Sequence, residues 1–132
     1  MPKIQFDVLV PRPQRERVEE IFRTALDKLI ITGEVGSYDV FRDDEPQVTA
    51  QFEEQLRQTY RDEHAEHELE DAAVTRYLLV VEGLTGSVNQ LAMVLSRLLT
   101  PRAAWPKNHV LLEDERAHEL PAIFPWALEI YR

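Results

Sequence analysis

Two histidines and one aspartate with helical spacing are the residues of this sequence best suited to metal chemistry. His64, His67 and Asp71 stand at positions i, i+3 and i+7 of an acidic stretch, so on a helix they would lie on one side. Two neutral imidazoles and a carboxylate can hold a divalent metal. The spacing differs from the His-Glu-x-x-His and His-x-x-Glu-His patterns of the zincins. We therefore favour two surface histidines on a solvated helix and expect no cofactor, with a divalent metal at these residues as the alternative.

A glycine-containing turn between a predicted strand and a predicted helix is the second candidate site. Gly83, Thr85, Gly86 and Ser87 stand where free backbone N–H groups and the helix dipole would attract a phosphate or carboxylate. Ser87 and Gln90 also match a capping box, which gives the turn a purely structural interpretation. In its strand-Gly-x-x-Gly-helix outline the turn resembles the ligand-binding turn of small regulatory ACT-type domains. That resemblance implies a ferredoxin-like fold and a small-molecule or anion site at these residues, in a sensor or a small enzyme.

The net charge of the chain is concentrated in one segment. Residues 43–82 hold 12 of the 24 acidic residues but three of the 15 basic ones, so this segment accounts for the whole charge of −9. Direct binding to nucleic acid or to an anionic membrane is disfavoured, because both need concentrated positive charge. A basic protein is the partner that such a segment suits, and we expect Glu63, Glu66 and Glu70 to form the partner surface. The other interpretation is a solvated helix face.

Composition excludes several further classes of protein. The chain has no cysteine, so disulfides, thiolate nucleophiles and Cys-ligated metal sites are excluded. It contains no Gly-x-Ser-x-Gly elbow, and no catalytic residue can be assigned. An uncharged apolar run of about 18 residues is missing, and the first residues lack a charged leader followed by an apolar core, so we expect a cytoplasmic protein. A length of 132 residues predicts one domain around a single core.

Hydrophobic periodicity predicts two strand–helix–strand units. The predicted elements are a strand at 3–10, a helix at 13–29, a strand at 38–41, a strand at 77–81, a helix at 88–100 that ends before Pro101, and a strand at 109–113. The strand at 77–81 is almost wholly apolar, which favours burial on both of its faces. Two such units of nearly equal length predict an α+β fold, the ferredoxin-like split βαβ sandwich, with an antiparallel sheet and two helices on one face.

Two segments exceed that plan. A helix at 47–72, with its apolar edge at Val48, Phe52, Leu56 and Tyr60, forms an acidic insert, so that the chain divides into a unit at 3–42, the insert at 43–73 and a unit at 74–115. The last residues, 124–132, alternate as a C-terminal strand. An apolar strand at a sheet edge must be paired to avoid aggregation, so homodimerisation through this strand is a further hypothesis.

These patterns together favour a binding protein over an enzyme. Our leading hypothesis is a non-enzymatic cytoplasmic binding or regulatory module, ferredoxin-like and homodimeric. Its acidic helix would bind a basic protein, as an inhibitor or immunity-type protein does. The alternatives are the anion or small-molecule site at Gly83–Ser87 and the metal site at His64, His67 and Asp71. A fold of this kind hosts many activities and does not decide between them.

Overall fold

The structure is a computed structural model that describes residues 1–63, 69–99 and 124–131. The elements are β1 (Lys3–Pro11), a 3₁₀ turn (Arg12–Gln14), α1 (Arg15–Ile31), β2 (Ser37–Asp43), α2 (Ala50–Glu63), β3 (Ala72–Glu82), α3 (Val88–Ser96) and β4 (Trp126–Tyr131). The strands form one sheet in the order β2-β3-β1-β4, and every neighbouring pair is antiparallel. The prediction of an α+β protein with an antiparallel sheet is confirmed, whereas the predicted strand at 109–113 lies outside the described residues.

The main core lies between one face of the sheet and the helices α1 and α3. The alternation predicted for the first strand is confirmed, since Ile4, Phe6 and Val8 are fully buried and face this core. The ring of Phe6 stacks on Phe22 of α1 with the ring centroids 5.1 Å apart. Apolar residues of α1 and α3 complete this core, namely Val18, Phe22, Leu26, Leu91, Ala92 and Leu95. Both helices therefore lie on the same face of the sheet.

A second, smaller cluster lies on the opposite face of the sheet. Leu9 of β1 and Val74 of β3 pack there against Leu56 of α2. The predicted apolar edge of this helix is confirmed, because Leu56 and Tyr60 are buried and Phe52 packs against the cluster. Helix α2 thus covers the end of the sheet at Leu9.

The predicted bounds of the acidic helix are wrong at both ends. The helix begins at Ala50 because Thr49 ends the preceding loop: its hydroxyl accepts the N–H of Phe52 at 3.0 Å. Ala72 already belongs to β3, where it pairs with Pro11. At the other side, Asp43 is the last residue of β2.

The expected burial of strand β3 on both faces is only partly found. Its apolar run was predicted to be buried on both faces, and Tyr77, Leu79 and Val81 are indeed fully buried against α1 and α3. Leu78 and Val80 point to the other face and are only half-buried. The prediction is wrong for that face, because α2 has 14 residues and packs at the opposite end of the strand.

Helix α3 begins at the predicted cap and ends earlier than predicted. The Ser87 hydroxyl accepts the N–H groups of Asn89 and Gln90, at 3.0 and 3.3 Å. The helix ends at Ser96, and the next three residues form a tighter turn through bonds to the third preceding carbonyl. Local hydrogen bonds therefore end α3 at Ser96, before the chain reaches Pro101.

Candidate partner-binding face of the sheet

The sheet face opposite α1 and α3 extends beyond the end that α2 covers. Strand register places its side chains in four rows, which we call the open sheet face. Read from β2 towards β4, the rows are Asp43, Arg76, Asp7 and Ala127; Phe41, Leu78, Gln5 and Glu129; Asp39, Val80, Lys3 and Tyr131; and Ser37 with Glu82. In the part of the chain that the structure describes, no helix or strand packs over the last three rows.

Apolar and aromatic side chains lie on the central strand β3 and at both edges of the open sheet face, whereas the central strand β1 contributes polar side chains. Phe41 on the edge strand β2 is 56% exposed, and Tyr131 on the edge strand β4 is 42% exposed. Leu78 and Val80 lie between them and are half-buried. The two aromatic edges are separated by three strand spacings, about 14 Å. A surface of this width accommodates one helix of another protein, whose diameter with side chains is about 10–12 Å.

A buried ion pair marks the boundary between the covered and open parts of this face. Arg76 donates from Nε and Nη2 to the two carboxylate oxygens of Asp7, at 2.8 and 3.2 Å. Asp7 is 7% exposed. The hydrogen bond to Asp7, together with the nearby charge of Asp43, raises the pKa of Arg76. Arg76 is therefore a fixed cation already neutralised by its neighbour.

Carboxylates that form no salt bridge within the described residues lie around Leu78 and Val80. Within residues 1–63, 69–99 and 124–131, none of four acids on this face forms an ion pair: Asp39, Asp43, Glu82 and Glu129. Glu129 accepts a hydrogen bond from the Tyr131 hydroxyl at 3.0 Å, which raises the pKa of that phenol. Lys3 is the one basic residue of the last three rows. The open sheet face therefore carries net negative charge around an apolar middle.

The acidic helix contributes less free charge than its sequence suggests. Glu53 pairs with Arg57 at 2.8 Å, and Glu54 pairs with Arg61. Of the predicted partner surface, Glu63 is the last residue of α2 and Glu70 lies exposed in the turn before β3. Glu66 lies outside the described residues. That surface stays a prediction, and the structure instead places unpaired acids on the sheet.

The predicted metal site lies mostly outside the described part of the chain. His64 and His67 are not described, and Asp71 is exposed in a left-handed backbone conformation with φ of 52°. Its carboxylate pairs with Arg12 at 2.7 Å. Among the residues that the structure describes, no three histidine, aspartate or glutamate side chains lie close enough to hold a metal. The metal hypothesis stays a prediction.

The predicted anion turn lies beside a cavity of about 420 Å³. Gly86 and Ser87 line this cavity together with Glu34 and Arg97. Ser87 is engaged in capping α3, and the Thr85 N–H donates to the Glu34 carbonyl at 3.0 Å. The hydrogen bonds of these two residues are explained by the fold, and an anion site at Gly83, Thr85, Gly86 and Ser87 stays a prediction.

We expect Gly83→Ala to lower the free energy of unfolding by about 2 kcal/mol. Gly83 has φ of +69°, and a Cβ there would lie 3.1 Å from the backbone of Gly36. Gly86→Ala is the matched control, because a Cβ at Gly86 meets no atom within 4 Å. Urea unfolding measures both, and equal losses at the two positions would contradict the assigned close approach.

The open sheet face is the feature that sequence reasoning missed. Its signal was present in β2, where Asp39, Phe41 and Asp43 alternate with Tyr38 and Val40. An aromatic residue between two carboxylates on one side of a strand indicates a solvent-facing surface with an apolar centre. This pattern can be recognised in the sequence, but it does not show whether another element covers this side of the strand.

The fold and this face define the chain as an α+β protein with an antiparallel sheet, one face of which is only partly covered by the described residues. No protein-family model, curated protein or solved structure matches it. Of the helices in the described residues, none is both long and apolar enough to cross a bilayer. The open sheet face is therefore the feature of the molecule that indicates a function.

Proposed function

We propose that this protein is a non-enzymatic binding module that holds a basic protein partner on its open sheet face. The observation that carries the proposal is the set of unpaired carboxylates around the exposed ring of Phe41. The strand order β2-β3-β1-β4, with α1 and α3 on one face, supports a ferredoxin-like split βαβ plan in which β4 is the last strand. In that plan the uncovered sheet face is a flat docking surface.

The chemistry of the face selects the partner. Arginine or lysine side chains would pair with Asp39, Asp43 and Glu129, and a guanidinium can also stack on an exposed aromatic ring. The half-buried Leu78 and Val80 offer an apolar centre for a partner's apolar side chain. The net charge of −9 would accelerate the encounter with a cationic protein at low salt.

An inhibitor or immunity-type role fits this combination. Proteins that act on nucleic acid carry a concentrated basic surface, and an acidic platform can occupy such a surface. The inhibitor would need no catalytic group of its own. We place this activity in the cytoplasm, in keeping with the expectation from the sequence.

The test compares two pairs of charge-neutralising substitutions with the same change in net charge. Asp39→Asn with Asp43→Asn alters the open sheet face, and Glu54→Gln with Asp62→Asn alters the exposed side of α2. We expect the first pair to weaken binding of a basic partner, captured from source-cell extract at low salt and then purified, by about tenfold, which corresponds to about 1.4 kcal/mol. The second pair should bind as the wild type does.

Salt dependence supplies the second measurement. The dissociation constant of the purified complex should rise steeply as salt increases, because exposed charge pairs are screened. Equal weakening by both pairs of substitutions would show that net charge, and not the open sheet face, controls binding. A captured partner that is acidic or neutral, or an affinity insensitive to salt, would overturn the proposed function.

A further inference from the structure

A groove of about 540 Å³ runs between α1 and α3 on the outer side of the helical layer. Ile21, Ala25 and Leu29 of α1 form one wall, and Val94 of α3 with Leu98 of the turn that follows α3 forms the other. This groove lies on the side of the molecule opposite to the open sheet face, because α1 and α3 cover the other face of the sheet.

The helical layer is unusually apolar on its outer surface. The described residues include seven exposed large hydrophobic side chains, and four of them lie on α1 and α3: Ile30, Ile31, Met93 and Val94. Ile31 is 84% exposed and Met93 is 55% exposed. Of these four, Val94 lines the groove itself and is therefore available to a partner there.

Two unpaired charges of opposite sign lie symmetrically on the lip of the groove. Glu20, Thr24 and Lys28 line it at positions i, i+4 and i+8 of α1, so they form one row along the helix. In the described part of the chain, neither Glu20 nor Lys28 forms an ion pair. The two charged residues are about 12 Å apart along the axis, with Thr24 midway.

We propose that this groove is a homodimer interface in which the α1 helices of two copies pack antiparallel about a two-fold axis at Thr24. The two-fold axis places Glu20 of each copy against Lys28 of the partner subunit, so both unpaired charges gain partners. Thr24 and Ala25 have small side chains, which allows the helices to approach closely at the axis. An isologous contact needs a self-complementary surface of this kind.

The occupant is a second copy because the charge pattern complements itself. Other acidic surfaces of a chain with net charge −9 repel a second copy. The groove instead carries Arg17 and Lys28 against Glu20 and is apolar between them. The methylene groups of Arg17 can cover Ile31 of the partner subunit, since both lie at equal distances from Thr24 along α1.

This interface differs from the one that the sequence suggested. Strand β4 lies at the edge of the sheet beside β1, where pairing with another copy would extend the sheet. The proposal concerns a different face, and it stands independently of the proposed binding of a basic partner. Substitutions on α1 distinguish the two dimers, because Glu20, Thr24 and Lys28 are exposed at the groove and β4 belongs to the sheet edge.

Light scattering coupled to size exclusion, over a range of protein concentrations, is the test. We expect the wild type to be a dimer and Thr24→Arg to be a monomer, because a long cation at the axis meets its own copy. Thr59→Arg is the matched control on an exposed position of α2 and should remain dimeric. Circular dichroism of each variant shows that a monomer is folded, since Thr24 is exposed and contributes little to the core.

Charge exchange tests the antiparallel arrangement itself. Glu20→Lys and Lys28→Glu should each weaken the dimer by about tenfold or more, since either change creates two like-charge contacts. An equimolar mixture of the two variants should form a heterodimer, because each new charge then faces an opposite one. The variant with both substitutions should dimerise as the wild type does.

Three outcomes would overturn the proposal. The first is a wild-type protein that stays monomeric at the highest concentration reached. The second is a dimer that Thr24→Arg leaves intact, which would assign dimerisation to another surface such as the β4 edge. The third is a mixture of the Glu20→Lys and Lys28→Glu variants that fails to form a heterodimer.

Discussion

Phe6→Ala should lower the free energy of unfolding by about 4 kcal/mol. Phe6 is fully buried at the centre of the sheet. Its ring stacks on Phe22 at 5.1 Å and meets Trp126 edge-on at 5.8 Å. Truncation removes the buried apolar surface, both ring contacts and the support that holds β4 against β1, and it leaves a cavity that rigid neighbours cannot fill. Urea unfolding at one fixed protein concentration measures the loss.

Phe41→Ala is the matched control for Phe6→Ala. Both residues are phenylalanines of the same sheet, but Phe41 lies on the open sheet face and is 56% exposed. We expect its removal to change the free energy of unfolding by about 0.5 kcal/mol or less, as for other exposed substitutions. It should still weaken binding of the basic partner. A large stability loss at Phe41 would show that this face is covered and would contradict the proposed docking surface.

The second large effect is expected at the ion pair of the sheet. Arg76→Met should lower the free energy of unfolding by about 3 kcal/mol, because Asp7 would remain as a buried carboxylate without its bidentate donor. The Asp7 side chain is 10% exposed and that of Arg76 is 30% exposed, so water can replace only part of the lost interaction. Thermal or urea unfolding measures the change.

Two controls separate burial from charge in this result. Arg12→Met breaks the pair with Asp71, in which both side chains are more than half exposed, and should change the free energy of unfolding by less than about 1 kcal/mol. The double variant Asp7→Leu with Arg76→Met removes both buried charges and should recover most of the loss. If the double variant is less stable than Arg76→Met alone, the assigned origin of the effect is wrong.

Much of the helical layer could be predicted from the sequence, because helical periodicity and capping are local signals. The stripe from Val18 to Leu29 predicted α1, and Ser87 predicted the start of α3. The structure confirms both, with α1 at Arg15–Ile31 and Ser87 as the cap. Helical periodicity and capping depend on residues within one or two turns, so no knowledge of the fold is needed to recognise them.

The ends of helices and strands were harder to predict where pairing with a strand distant in the sequence determines them. The sequence predicted an acidic helix at 47–72 from an apolar edge that ends at Tyr60. In the structure, Ala72 to Arg76 extend β3 along Pro11 to Asp7. Strand pairing with a partner more than 60 residues away therefore overrides the local helical preference.

The sequence by itself determined the order of the described strands and helices, the buried side of β1 and the excess of acid in residues 43–82. Only the tertiary structure decided which acids remain free and which apolar side chains remain exposed. Glu53 and Glu54 are paired by arginines of α2, whereas Asp39 and Asp43 on the open sheet face form no ion pair with any residue that the structure describes. The physical reason is that pairing and coverage depend on which elements meet in space, and α2 packs only at the Leu9 end of the sheet.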